Sequence, residues 1–117
     1  MAKLSKYNKF SDTGWPAPCL ISRSTTGGHM VAKKGSGKHL MVLGIITEGP
    51  VTLVSTANGT TTGDVIITLE GGDTDYSAQF NFPGALDFGD DMGIYAQMTS
   101  GGTDENITIF YYIHDAN

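Results

Sequence analysis

The sequence predicts an all-β protein: one antiparallel β-sandwich or jelly roll of about eight short strands, preceded by an extended N-terminal arm. Three observations support this fold class. Short apolar segments alternate with a period of two, which is typical of half-buried strands. Turn-forming Gly, Asn, Asp and Pro separate these segments, and Gly alone accounts for 16 of the 117 residues. No segment of ten or more residues has the apolar spacing of a helix. The length suits a single domain, so we divide the chain into an arm, residues 1–16, and a sandwich, residues 17–117.

Eight segments are predicted as strands. In chain order they are residues 19–23, 29–33, 39–47, 51–55, 65–70, 76–82, 94–98 and 107–113. In three of them the alternation assigns one face to the core: Val65, Ile67 and Leu69; Tyr76, Ala78, Phe80 and Phe82; and Ile107, Ile109, Tyr111 and Ile113. Residues 40–43, Leu-Met-Val-Leu, are apolar on both faces. This pattern predicts a central strand or one covered by a second subunit.

The arm lacks any regular apolar period. It mixes Lys, Ser, Asn and Asp with spaced aromatic residues, and Gly14 with Pro16 argues against a helix. We expect an extended segment whose aromatic side chains Tyr7, Phe10 and Trp15 anchor it on another surface. An unstructured terminus is the alternative.

Charge is divided unevenly along the chain. All seven basic residues lie within the first 38 positions, with Asp12 as the single acid there, so this stretch has a formal charge of +6. The rest of the chain has eleven acids and no Lys or Arg. Such asymmetry predicts an arm that contacts an acidic partner, although an acidic body by itself is typical of a charged protein surface. The basic residues are Lys3, Lys6, Lys9, Arg23, Lys33, Lys34 and Lys38.

Motifs of catalysis or cofactor binding are incomplete. Residues 35–38, Gly-Ser-Gly-Lys, resemble part of a phosphate-binding loop, but Ala32 and His39 stand where that motif needs Gly and Ser or Thr. We therefore predict a hairpin turn. A nucleophile and base could be sought among Cys19, His29, His39 and His114, but no supporting motif surrounds them, so structural roles are expected. The sequence predicts no enzyme and no cofactor.

Two acidic clusters raise the question of a cation. Asp73 and Asp75 fall in one predicted loop, and Asp87, Asp90 and Asp91 in another. Neither has the twelve-residue spacing of a calcium-binding loop, so we predict solvated loops and no metal. Nucleic acid is not expected as a partner because the acidic body repels phosphate, although the arm alone can bind it nonspecifically.

No membrane partner or intrachain disulfide is expected. Cys19 is the single cysteine, the N-terminus lacks an apolar run typical of a signal peptide, and no stretch reaches the roughly 20 apolar residues that span a bilayer. We expect synthesis in the cytoplasm.

Residues 39–113 resemble a family of viral proteins. The resemblance lies in residues 44–53 (GIITEGPVTL), 80–88 (FNFPGALDF), 92–96 (MGIYA) and 107–112 (ITIFYY). Together these are similar to small β-sandwich virion proteins of tailed bacteriophages, including capsid decoration (cement) proteins. The resemblance implies a jelly-roll-like body, often trimeric, on a capsid lattice and without a catalytic site. Within the pattern, Phe82-Pro83-Gly84 is expected to end a strand by a forced turn.

These expectations combine into a structural role on the capsid surface of a virion. The expected partners are the major capsid protein and further copies of the chain, most simply as a homotrimer. The predicted contact residues are Lys3, Lys6, Tyr7, Lys9, Phe10, Trp15 and Arg23. The alternative is a tail or fibre module that binds a host receptor or glycan through its loops. Aromatic residues on loops would favour that alternative, whereas Tyr76, Tyr95, Tyr111 and Tyr112 fall on predicted strands.

Overall fold

The computed structural model describes residues 19–70, 77–98 and 105–115, which form two four-stranded antiparallel sheets packed face to face. The eight strands are β1 (Leu20–Ser24), β2 (Gly27–Val31), β3 (Lys38–Thr47), β4 (Val51–Thr56), β5 (Asp64–Leu69), β6 (Ala78–Asp90), β7 (Gly93–Met98) and β8 (Ile107–Asp115). Each overlaps one predicted strand, so the predicted fold class is confirmed. The arm, Tyr76, and Asp73 and Asp75 lie outside the described residues.

The strand order is that of an eight-stranded jelly roll. Sheet 1 has the order β1-β8-β3-β6, and sheet 2 has the order β2-β7-β4-β5. The strands therefore pair in a nested series, β1 with β8, β2 with β7, β3 with β6 and β4 with β5. Of these pairs, only β4 and β5 follow one another in the chain.

The core lies between the sheets and contains the alternating residues predicted for β8. Ile107 and Ile109 are fully buried, Tyr111 is nearly so, and Ile113 packs against them. Sheet 2 contributes Leu53 and other fully buried side chains. Burial of each such aliphatic side chain contributes roughly 1.5–3 kcal/mol to folding. The buried core consists of Val31, Leu40, Val42, Ile45, Val51, Leu53, Leu69, Phe88, Ile94, Ala96, Ile107, Ile109 and Tyr111.

A register break in β3 explains why its sequence is apolar on both faces. Val42 pairs with Tyr111 and Gly44 with Phe110, so Leu43 is an extra residue opposite β8. Such a bulge reverses the alternation. Leu40 and Val42 point into the core before it, and Ile45 does so after it, all with 0% exposure. The prediction of a central strand for this segment is confirmed, because β3 lies between β8 and β6.

The prediction that Phe82-Pro83-Gly84 ends a strand is wrong. β6 continues from Ala78 to Asp90, and residues 82–85 form a four-residue bulge opposite Leu43. Pro83 is tolerated because β6 is an edge strand, where a missing N–H need not break the ladder. Beyond the bulge the strand returns to the core with Phe88, which is 1% exposed and whose carbonyl accepts a 2.6 Å hydrogen bond from Ser55 Oγ.

The predicted shared face of β5 is also only partly correct. Leu69 pairs with Val51 and Ile67 with Leu53, so both face the core side. A register shift between Leu53 and Val54 then reverses the alternation, and Val65 lies outside with 61% exposure.

Residues 35–38 form a turn, but not a hairpin. The Lys38 N–H donates to Gly35 O at 3.1 Å, and a strand follows instead of the helix that a phosphate-binding loop needs. However, β2 belongs to sheet 2 and β3 to sheet 1, so the turn carries the chain from one sheet to the other. The sequence pattern could not distinguish the two cases, because both require residues that tolerate positive φ.

Candidate interaction surface

The outer side of sheet 1 carries a group of apolar side chains. Neighbours paired across a sheet share a face, and their alternation with core residues places this group away from the core. Ile21 pairs with Phe110, and Met41 with Tyr112. We call this surface the outer patch; it comprises Ile21, Met41, Ile46, Phe110 and Tyr112. Ile21 is 59% exposed, while the other four are partly exposed.

The outer side of sheet 2 is more polar. Thr52 and Thr68 face each other there with their hydroxyl oxygens 3.2 Å apart, and Gln97 pairs with Thr52 on the other side. Val65 is exposed on this side, where it pairs with the buried Val54, and the partly exposed Tyr95 pairs with Val54 from the other strand. The two outer surfaces thus differ in chemistry, and the outer patch distinguishes sheet 1.

One end of the outer patch carries histidine and aspartate side chains. His39 Nδ1–H donates to Asp87 Oδ1 at 2.9 Å, and His39 Nε2 lies 3.9 Å from Asp90 Oδ1. The His114 ring meets the His39 ring edge-on, with centroids 6.2 Å apart. Partial burial raises the pKa of Asp87, but the hydrogen bond from the Gly89 N–H and the interactions with His39 and His114 outweigh burial, so its pKa lies below the ordinary value.

Two neighbouring acids stabilise the turn between β2 and β3. The Gly37 N–H donates to Asp90 at 2.6 Å, and the Gly35 N–H donates to Asp91 at 3.0 Å. These backbone contacts give Asp90 and Asp91 a structural role. Within residues 19–70, 77–98 and 105–115, no group of three or more His, Cys, Asp or Glu residues is placed to hold a metal ion.

Of the predicted contact residues, only Arg23 lies in the described part of the chain. It is exposed on β1, opposite Thr108, two residues from Ile21. It also borders an open cavity of about 420 Å³ together with Ser24, Thr25 and Asn106. Lys3, Lys6, Tyr7, Lys9, Phe10 and Trp15 lie outside the described residues.

The candidate nucleophile and bases are distributed over different parts of the sandwich. His39 and His114 meet on the outer side of sheet 1, whereas His29 lies on β2 of sheet 2, paired with Tyr95. Cys19 immediately precedes β1, and burial raises the pKa of its thiol. A raised pKa disfavours the reactive thiolate.

The sequence analysis missed the outer patch. Its signal was present in β8, where Phe110 and Tyr112 occupy the face opposite Ile109 and Tyr111. Ile46 could not be assigned to a face from the sequence, since that depends on the bulge at Leu43.

The fold and this surface together define an all-β jelly roll with one apolar outer side. No protein-family model, curated protein or solved structure matches the chain. Among the residues described, no helix has the length and apolar character needed to cross a membrane.

Proposed function

We propose that this chain is a structural virion protein, a capsid decoration (cement) protein that stabilises the head shell of a tailed bacteriophage. The observation that carries the proposal is the outer patch on sheet 1, with the cation of Arg23 beside it. A contiguous apolar surface on a sheet suits attachment to another protein. The resemblance of residues 39–113 to phage decoration proteins supplies the kind of partner.

The proposed partner of the basic residues is an acidic surface of the major capsid protein. Lys3, Lys6, Lys9 and Arg23 supply attraction that acts over about 10 Å at 0.1 M salt. Exposed ion pairs contribute only roughly 0–1 kcal/mol each, so charge alone does not hold the protein in place. The aromatic anchors Tyr7, Phe10 and Trp15 supply the apolar part of the attachment.

Self-association is a further part of the proposal. A 12.4 kDa chain buries a limited share of its surface, and a trimer on the shell would bury more. We propose a homotrimer, both as the free protein and on the shell.

The tail or fibre alternative would place ligand-binding aromatic residues on loops. Tyr95, Tyr111 and Tyr112 lie on strands, as predicted, and none of the described loop segments contains an aromatic residue. No observation therefore favours glycan binding over attachment to a shell.

Co-sedimentation with undecorated capsids across a salt series tests the proposal. Replacing Lys3, Lys6 and Lys9 with Gln should weaken binding most in low salt, and the difference from the wild type should shrink as added salt screens the charges. Trp15→Ala should weaken binding at every salt concentration, by about 2 kcal/mol or roughly thirtyfold if Trp15 is a central anchor.

The control neutralises Lys33 and Lys34, two exposed cations of the sandwich that are assigned no role in attachment. This variant should bind more tightly than the arm variant in low salt, where the charges of the arm are least screened. Wild-type binding by both arm variants at every salt concentration would refute attachment through the arm. An absence of wild-type binding would refute the decoration role.

A further inference from the structure

We propose that the N-terminal arm covers the outer patch of its own chain, with Tyr7, Phe10 and Trp15 packed against sheet 1. The inference rests on one part of the proposed function, namely that these three side chains are anchors. It adds the surface that they bind when no shell is present.

The first argument is the exposure of the patch. Ile21 is 59% exposed on the edge strand β1, and Tyr112 on β8 and Met41 and Ile46 on β3 lie on the same face of the sheet. The outer side of sheet 2 has fewer exposed apolar side chains: Val65 and Tyr95 pair with Val54, which is only 2% exposed, and Thr52, Thr68 and Gln97 are polar. Water contact with clustered apolar side chains is unfavourable, so a covering segment lowers the free energy of the protein.

The second argument is connectivity. Cys19 leads directly into β1, and Leu20 pairs with Tyr111, so the chain enters sheet 1 next to the rows that contain Tyr112 and Met41. A tethered segment competes for this patch at an effective concentration on the order of millimolar. Outer strands of a four-stranded sheet are about 14 Å apart, whereas 18 extended residues reach up to about 60 Å. The preceding chain is thus long enough to cross the whole face.

The third argument is charge. Asp87 and Asp90 are exposed on β6, the edge strand opposite β1, at the same end of sheet 1 at which β1 begins. The arm brings Lys3, Lys6 and Lys9 with a single acid, Asp12. Packing its aromatic residues on the patch places opposite charges near each other, which favours this occupant over a second acidic body.

The sequence supplies its own probe, because Trp15 is the single tryptophan. Its fluorescence in the full-length protein can be compared with that of a peptide of residues 1–18. We expect blue-shifted emission and weaker acrylamide quenching in the protein than in the peptide, since a packed indole is shielded from water.

Two matched variants locate the contact. Ile21→Ser and Val65→Ser each remove one exposed apolar side chain, with 59% and 61% exposure, from sheet 1 and sheet 2 respectively. Ile21→Ser should shift the ratio of docked to undocked arm by roughly tenfold and move both readouts toward the peptide. Val65→Ser should leave them at wild-type values. Far-UV circular dichroism checks that both variants are folded.

Three results would overturn the proposal. The first is that acrylamide quenches Trp15 of the wild-type protein as strongly as it quenches the peptide. The second is that Ile21→Ser and Val65→Ser have equal effects. The third is that the shielding of Trp15 from acrylamide is lost when the protein is diluted. The last result would assign the arm to the patch of a second copy. Because the measurement uses no capsids, failure to bind capsids leaves this inference standing, and an exposed Trp15 leaves the decoration role standing.

Discussion

Two adjacent glycines in β2 provide a test of how closely β2 approaches the neighbouring strand β7. Gly27 and Gly28 both have positive φ angles, +80° and +99°. A Cβ on Gly27 would lie 2.4 Å from the Ala96 carbonyl oxygen and 2.9 Å from Met98 Cγ. A Cβ on Gly28 would meet nothing within 4 Å. The pair therefore separates backbone strain from steric overlap.

The expected costs follow from these contacts. An L-residue at positive φ costs roughly 1–2 kcal/mol, and both Gly27→Ala and Gly28→Ala incur this cost. Gly27→Ala also forces β2 away from the backbone of β7, which belongs to the interior of sheet 2. Overpacking of this kind adds about 1–3 kcal/mol. We expect losses of about 2–5 kcal/mol for Gly27→Ala and about 1–2 kcal/mol for Gly28→Ala.

Urea denaturation measures both variants against the wild type. A lower midpoint at unchanged m-value gives the loss of unfolding free energy directly. The arm is left intact in all three proteins, so its contribution cancels. Equal midpoints for the two variants would refute the close approach of Gly27 to β7. A lower midpoint for Gly28→Ala than for Gly27→Ala would refute it as well.

The remaining predictions concern assembly and pH. Light scattering at micromolar concentrations should report a mass of three chains for the proposed trimer, and a mass of one chain of 12.4 kDa would exclude it for the free protein. Because the pKa of Asp87 is lowered in the folded state, its carboxylate stabilises the protein above the unfolded pKa of about 3.9, and this contribution is lost as pH falls through the lower folded value. Asp87→Asn should therefore reduce stability by less than about 1 kcal/mol near pH 7, since the side chain is half exposed, and by progressively less in acid. A difference from wild type that grows in acid would contradict this assignment.

The strand positions could be predicted because alternation is a local signal. Ile107, Ile109 and Tyr111 repeat with a period of two and enter the core as expected. Phe88 could not be assigned, because Pro83 and Gly84 resemble a strand end when the pairing with β3 is unknown. The position of β6 at the edge of sheet 1 and the bulge of residues 82–85 together make Pro83 acceptable inside this strand.

The candidate surface was less accessible to sequence reasoning. Arg23 was predicted as a contact residue and is exposed beside the outer patch, but the patch itself assembles from three strands that are distant in the chain. Ile21 is paired with Phe110 only because the first strand lies next to the last. Strand order depends on long-range packing, which no local pattern encodes.

The nested pairing of strands also constrains how the chain gains its structure. β4 and β5 are joined by a short connection, so their pairing costs little loop-closure entropy. Pairing β1 directly with β8 would instead close a loop that includes nearly the whole sandwich. If the inner pairs form first, each further pair closes only the short remaining loops. The pairing of β1 with β8, to which the arm is attached, therefore benefits most from the strand pairs that form before it, because they shorten the loop that it must close.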